Sequence, residues 1–155
     1  MKSFLSFVSF FLAFSLGAGY ADDKSDVQAV IDAIHAASNE NNLDELEQHH
    51  SSEATEFNGW GGTLRKLDWE ESRNGVQDGG KWKVEHGKVE IEIHGTTAIV
   101  TGYNKTEFFP PAEGWREDMG RYTWVLSSGK DGDRAWKVVH KHHSRGIFVP
   151  ADSVK

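Results

Sequence analysis

From Lys81 onward the chain is patterned with a period of two. Val89, Ile91 and Ile93 alternate with Lys88, Glu90 and Glu92, so one face of that segment is apolar and the other charged. Lys81–His86 and Lys88–His94 are separated by Gly87, which reads as a bulge or a bend within one long strand. Gly95-Thr96 turns the chain into a strand over 97–109, which Pro110-Pro111-Ala112-Glu113-Gly114 ends. Strands over Glu117–Ser128 and Ala135–Ile147 complete a meander. Long half-apolar strands of this kind form an antiparallel sheet, and its apolar face needs a cover.

The first half of the chain supplies helices for that role. Ser25-Asp26-Val27-Gln28 has the form of a capping box, and Val27, Val30, Ile31 and Ile34 follow at helical spacing. Asn39-Glu40-Asn41-Asn42 breaks the pattern. A second, shorter helix is predicted over Leu43–His50, where His49 and His50 suit the negative end of the helix dipole. Glu53 to Gly62 reads as an extended piece ending in Asn58-Gly59-Trp60-Gly61-Gly62. Thr63 then caps a third helix that runs to about Arg73 and stops at Asn74-Gly75. The fold class is therefore α+β, with about three N-terminal helices packed on a curved antiparallel sheet.

Residues 1–21 are read as separate from this fold. Met1-Lys2 is a short positive start, Phe4 to Leu16 is almost wholly apolar, and Gly19-Tyr20-Ala21 is a small-x-small cleavage signature. That is the form of a secretory signal peptide, and its apolar run is shorter than the roughly 20 residues of a membrane span. The expected mature protein is one domain, 22–155, secreted or periplasmic and free of the membrane after cleavage. Loss of the leader removes one lysine and no acid, so 134 residues remain at a formal charge of −8 rather than −7. An acidic chain without a basic cluster is a poor partner for nucleic acid. With no cysteine, disulfides, thiolate zinc sites and thiol catalysis are excluded.

The candidate site lies on the last two strands. Arg121, Thr123 and Val125 share one face of the first, and His140, His142 and Ser144 share one face of the second. Paired through the turn Gly129-Lys130-Asp131-Gly132-Asp133, the two rows set a cation, hydroxyls and two imidazoles side by side. An inward arginine must find an anion, either an internal acid such as Glu56 or a ligand. Trp60 in its glycine-rich loop either closes over the pocket mouth or plugs the core. His140 and His142 also have the spacing of two metal ligands, but nothing fixes a third among Glu56, His49 and His50, so no metal and no cofactor is expected. Glu90, Glu92 and Asp118 are expected to face solvent, as is Glu85-His86. The phase of Tyr103 stays open, and Asn104-Lys105-Thr106 matches a glycosylation acceptor.

Several motifs resemble the nuclear transport factor 2-like superfamily, in particular its SnoaL-like branch. Asn42-Leu43-Asp44-Glu45-Leu46 is similar to the family's short helix, and Gly95-Thr96-Thr97-Ala98-Ile99-Val100-Thr101-Gly102 to its glycine-led hairpin. The ending resembles that of the calcium/calmodulin-dependent protein kinase II association domain through Arg121, Thr123, Val125, Asp131, Gly132, Trp136, Lys137, Val139, His140, His142 and Ser144. The resemblance implies a cone whose open end is a pocket between sheet and helices, and a homodimer formed through the sheet. Its members include isomerases, dehydratases, cyclases and proteins without known activity, so the fold does not choose a reaction. Two functions stay open beside a pure association module. One is the binding of a small acidic or oxygen-rich molecule by Arg121, Thr123, His140, His142, Ser144 and Trp60. The other is an isomerase, dehydratase or cyclase with His142 as general acid/base and Arg121 as oxyanion stabiliser.

Overall fold

The computed structural model describes residues 16–57, 62–109, 116–129 and 135–145. Helix α1 spans Leu16–Glu40 and buries Val27, Ile31, Ile34 and Ala37 along one stripe, the expected helical spacing. Its start differs from the expectation. The Ser25 hydroxyl donates to the Asp22 carbonyl at 2.8 Å, so the serine lies inside a continuing helix and the capping box does not form. Helix α2 (Leu43–Gln48) is capped by Asn42, whose side chain accepts from the Glu45 N–H. It ends two residues sooner than expected, and His50 begins strand β1 (His50–Phe57).

The third helix is displaced toward the C-terminus, starting and ending later than expected. Leu64–Lys66 forms a short strand, β2, and helix α3 covers Trp69–Gln77 with Asp68 as its cap, accepting from the Glu71 N–H at 2.9 Å. Asn74-Gly75 lies within that helix. Two acids in its first turn favour the helix dipole, and they outweigh the breaker pair. Arg73 of α3 binds Asp44 and Glu47 of α2, holding the two short helices together.

The remaining strands follow the expected order: β3 (Lys81–His94), β4 (Thr97–Phe109), β5 (Arg116–Ser128) and β6 (Trp136–Arg145). Gly87 sits in an irregularity of β3, where Lys88 takes a φ of 43°. The six strands make one curved sheet in the order β2-β1-β6-β5-β4-β3. It is not antiparallel throughout, because β1 pairs parallel with β6. Ala98, Val100, Trp124, Leu126, Trp136 and Val138 face the helices from its concave side and join the α1 stripe in the core.

The edge strand β3 is covered by the end of α1. Asn39 accepts from the Val84 N–H and donates to the Val84 carbonyl, at 2.6 and 3.1 Å. Asn41 does the same for Trp82, at 3.0 and 3.3 Å. The residues that break the helical pattern thus stand in for a missing neighbour strand. Next to this edge His35 of α1 stacks on His86 of β3, ring centroids 3.3 Å apart. His86 is consequently turned inward, against the expectation of a solvated strand edge.

Candidate functional site

One extra residue in β6 sets the chemistry of the concave face. Val125 lies opposite His140 while the next residue, Leu126, lies opposite Val138, so Val139 is bulged. Before the bulge Trp136 and Val138 point inward. After it Lys141 and His143 do, opposite Trp124 and Tyr122. Arg121, Thr123, His140, His142 and Ser144 do share one face, as their pairing requires: Arg121 meets Ser144 and Thr123 meets His142. That face is the outer one. Arg121 and His142 are exposed, His140 Nδ1 meets Thr55 Oγ1 at 2.9 Å, and Phe57 packs edge-on against His140 and His142. Of this row only Ser144 reaches the cavity wall. Trp60 lies outside the described residues.

The cavity itself has a volume of about 450 Å³ and opens between the helices and the concave sheet. One row of residues crosses it from strand to strand: Arg65 on β2, Glu56 on β1, Lys141 on β6 and Trp124 on β5 are successive partners. Arg65 holds Glu56 Oε1 through Nε at 2.9 Å and Nη2 at 2.8 Å, and reaches outward to Glu71 at 2.9 Å. Lys141 Nζ stands 4.0 Å from Glu56 Oε2. Arg65 is 43% exposed and Lys141 only 18%, so the lysine is the inner cation. Burial lowers its pKa, Glu56 opposes that shift and Arg65 reinforces it.

Around this row stand imidazoles held neutral. His50 Nδ1 meets the Leu46 carbonyl at 2.6 Å. A carbonyl only accepts, so Nδ1 carries the proton and Nε2 keeps its lone pair. That Nε2 is buried without a hydrogen-bond partner among the described residues. Burial first, then the Lys141 charge, pushes His50 down to about 3. The Trp124 indole N–H donates to His143 Nε2 at 3.2 Å, which places the His143 proton on Nδ1. Burial and Lys141 bring His143 to about 4. His86 falls to about 3 through burial, His35 and His143, and His35 to about 4 through burial, which Asp32 partly offsets.

The far end of the cavity is also polar. His86, Asn104 and Gly120 are partners across β3, β4 and β5. His86 Nδ1, Asn104 Oδ1 and the Tyr122 hydroxyl have no partner among the described residues, and burial raises Tyr122 to about 12. Gly102 makes room for that tyrosine, since a Cβ there would lie 2.6 Å from its hydroxyl oxygen. Asn104 donates to Thr106 Oγ1 at 2.8 Å and lines the cavity, so the glycosylation motif faces inward. Asp118 also lines the cavity rather than facing solvent, whereas Glu90, Glu92 and Tyr103 are exposed. Glu56 is the internal acid that was expected, but its partners are Arg65 and Lys141 instead of Arg121. His49 caps α2 and meets Glu45 at 3.1 Å. Among the described residues no three acids or histidines are placed to hold a metal ion.

Lys141 and His143 are the residues that strict alternation misses. The signal for them is the doublet Val138-Val139, two adjacent apolar residues in a strand that otherwise alternates. No local signal marks His50, whose inward position depends on where α2 stops.

A family model described as a SnoaL-like domain matches residues 27–150. No curated protein matches the chain by sequence. Solved structures with the same fold include the calcium/calmodulin-dependent protein kinase II hub of S. rosetta, at 21% identity and a TM-score of 0.61, covering 79% of this chain and 95% of that one. A protein from Streptomyces avermitilis, named as a candidate dehydratase of the NTF2-like family, has 14% identity and a TM-score of 0.68 over 82% of this chain and 98% of its own. An uncharacterised protein with a cystatin-like fold from Caulobacter vibrioides has 16% identity and a TM-score of 0.65, over 85% and 93%.

Proposed function

Because the chain belongs to the SnoaL-like domain family, whose fold encloses the cavity described above, we propose that it is an exported protein binding a small acidic or oxygen-rich organic molecule there. The observation that carries this reading is a largely buried cation, Lys141, in the same cavity as three polar atoms without partners among the described residues: His50 Nε2, His86 Nδ1 and Asn104 Oδ1. Buried polar groups are costly unless they are hydrogen-bonded, and an oxygenated ligand supplies the bonds. A volume of about 450 Å³ suits a small organic molecule. Export rests on the leader pattern of residues 1–21. Isomerase, dehydratase or cyclase chemistry through His142 and Arg121 has less support, since both residues stand on the outer face.

The test is a titration of purified protein with small hydroxy and keto carboxylates, followed by NMR. Lys141→Met is expected to weaken binding by about 1.5–3 kcal/mol, the usual range for hydrogen bonds to charged groups. Arg121→Gln is expected to leave affinity within about twofold, as for other surface changes away from the site. Equal losses in the two variants would move the site to the outer face. Dimerisation through that outer face, where Tyr103 and Met119 are 55% and 51% exposed, belongs to the same reading. Sedimentation should then give twice the chain mass, and Met119→Lys should return it to one.

A further inference from the structure

We propose that Lys141 is a carbonyl-capturing residue, forming an imine through Nζ with a small aldehyde or ketone bound in the cavity. The inference rests on the binding site proposed above and adds a covalent step to it. Four features of the cavity point to it. The ammonium is not saturated by its acid: Glu56 Oε1 is taken by Arg65 through two contacts, and Oε2 lies 4.0 Å from Nζ, beyond hydrogen-bond distance. Trp124 and Trp69 give the cavity apolar walls, which desolvate the amine. The neighbouring imidazoles, His50 and His143, are neutral and add no competing cation. Finally, the cavity has room for a ligand beside Nζ.

The electrostatics favour a reactive amine. Burial disfavours the ammonium most, the Glu56 carboxylate opposes that, and the Arg65 guanidinium disfavours it further. Lysines so placed supply nucleophilic amines in enzymes that form Schiff bases.

The step balances within the site. The ammonium gives up a proton through a bridging water to the Glu56 carboxylate, 4.0 Å away and so beyond direct transfer, and the amine lone pair adds to the carbonyl carbon. The C=O π bond breaks and a carbinolamine forms. The proton returns to the carbinolamine hydroxyl, the C–O bond breaks, and water leaves. The net change is Lys–NH₃⁺ plus O=CR₂ to Lys–NH⁺=CR₂ plus H₂O. One positive charge faces Glu56 before and after, so capture needs no loss of the ion pair and no external oxidant or reductant.

The test uses the whole mature protein with phenylacetaldehyde, and separately with pyruvate, in the presence of sodium cyanoborohydride at pH 7. Proteolysis and mass spectrometry then read reductive alkylation at each lysine. Lys83 and Lys88, 61% and 74% exposed, serve as internal standards. Lys141 is expected to be labelled at least about threefold faster than either, since a lowered pKa leaves more of it as free amine. Labelling of Lys141 no faster than Lys83 and Lys88 overturns the inference. The comparison is internal to the wild-type protein and does not depend on any variant folding. Lys141→Arg keeps the cation and removes the nucleophile, so it should still bind pyruvate reversibly by NMR while losing the adduct. Reversible pyruvate binding without preferential Lys141 labelling sinks the covalent step and leaves the binding reading standing. Preferential phenylacetaldehyde labelling with no carboxylate bound by NMR supports carbonyl capture and sinks acid binding.

Discussion

Glu56→Gln is expected to lower the free energy of unfolding by about 2–4 kcal/mol. Removing one partner of a buried ion pair usually costs about 3–5 kcal/mol, because a charge is left without compensation. Two cations depend on this carboxylate. Arg65 retains Glu71 and water, being 43% exposed, and its share is discounted for solvent screening. Lys141, 18% exposed, has no second acid paired with it among the described residues. It would face the Arg65 guanidinium with nothing between them. Urea denaturation at pH 7 measures the loss. Adding Lys141→Met to Glu56→Gln is expected to restore part of it, because the second change removes the stranded cation; such coupling is normal for residues in contact. A single variant as stable as the wild type would show that Lys141 finds another anion or reaches water.

Acidification from pH 7.5 to 5 is expected to destabilise the protein steeply. His35, His50, His86 and His143 are depressed from 6.5 to about 4, 3, 3 and 4, chiefly by burial. The sign follows from which state takes up protons. Above pH 6.5 neither state is protonated at these positions and the full stability is present. Below 6.5 the unfolded chain binds protons that the folded one refuses, so stability falls as pH falls, until it levels off near 4 and 3. Each such histidine contributes up to about 1.4 kcal/mol per pH unit in that window. Carboxylates scarcely titrate above pH 5, so this interval isolates the imidazoles. Denaturation midpoints at half-unit steps measure the slope, and His35→Phe should make it shallower by about one histidine's share. A midpoint unchanged between pH 7.5 and 5 would mean that the imidazoles are not held neutral.

Much of the fold was legible because it depends on patterns that survive local error. The alternation of Val89, Ile91 and Ile93 identifies the inner face of β3, and the stripe from Val27 to Ile34 identifies the buried side of α1. The site was less legible because phase on a strand is counted, and a single bulge shifts the count. Arg121 opposite Ser144 and Thr123 opposite His142 are correct pairings on the outer face. The residues one position away, Trp124, Lys141 and His143, are the ones that meet the cavity. Glu56, Arg65 and His50 come from the first half of the chain, and no spacing in the sequence brings them to Lys141. The parallel pairing of β1 with β6 does so, and a long-range contact of that kind has no local signature.

That pairing also imposes an order in time. β6 lies between β1 and β5, and among the described residues it is the only strand hydrogen-bonded to both the early pair β1–β2 and the later meander β3–β5. It is also the last of the described strands to be synthesised. Until it arrives the sheet is two separate pieces: Glu56 and Arg65 belong to one, Trp124 and Asn104 to the other, and Lys141 is not yet made. Contacts between residues so distant in sequence are slow to form because their loops must close first. A nascent chain stopped before residue 136 would therefore carry both banks of the cavity without the strand that spans them. It would stay open and unfinished until β6 is released.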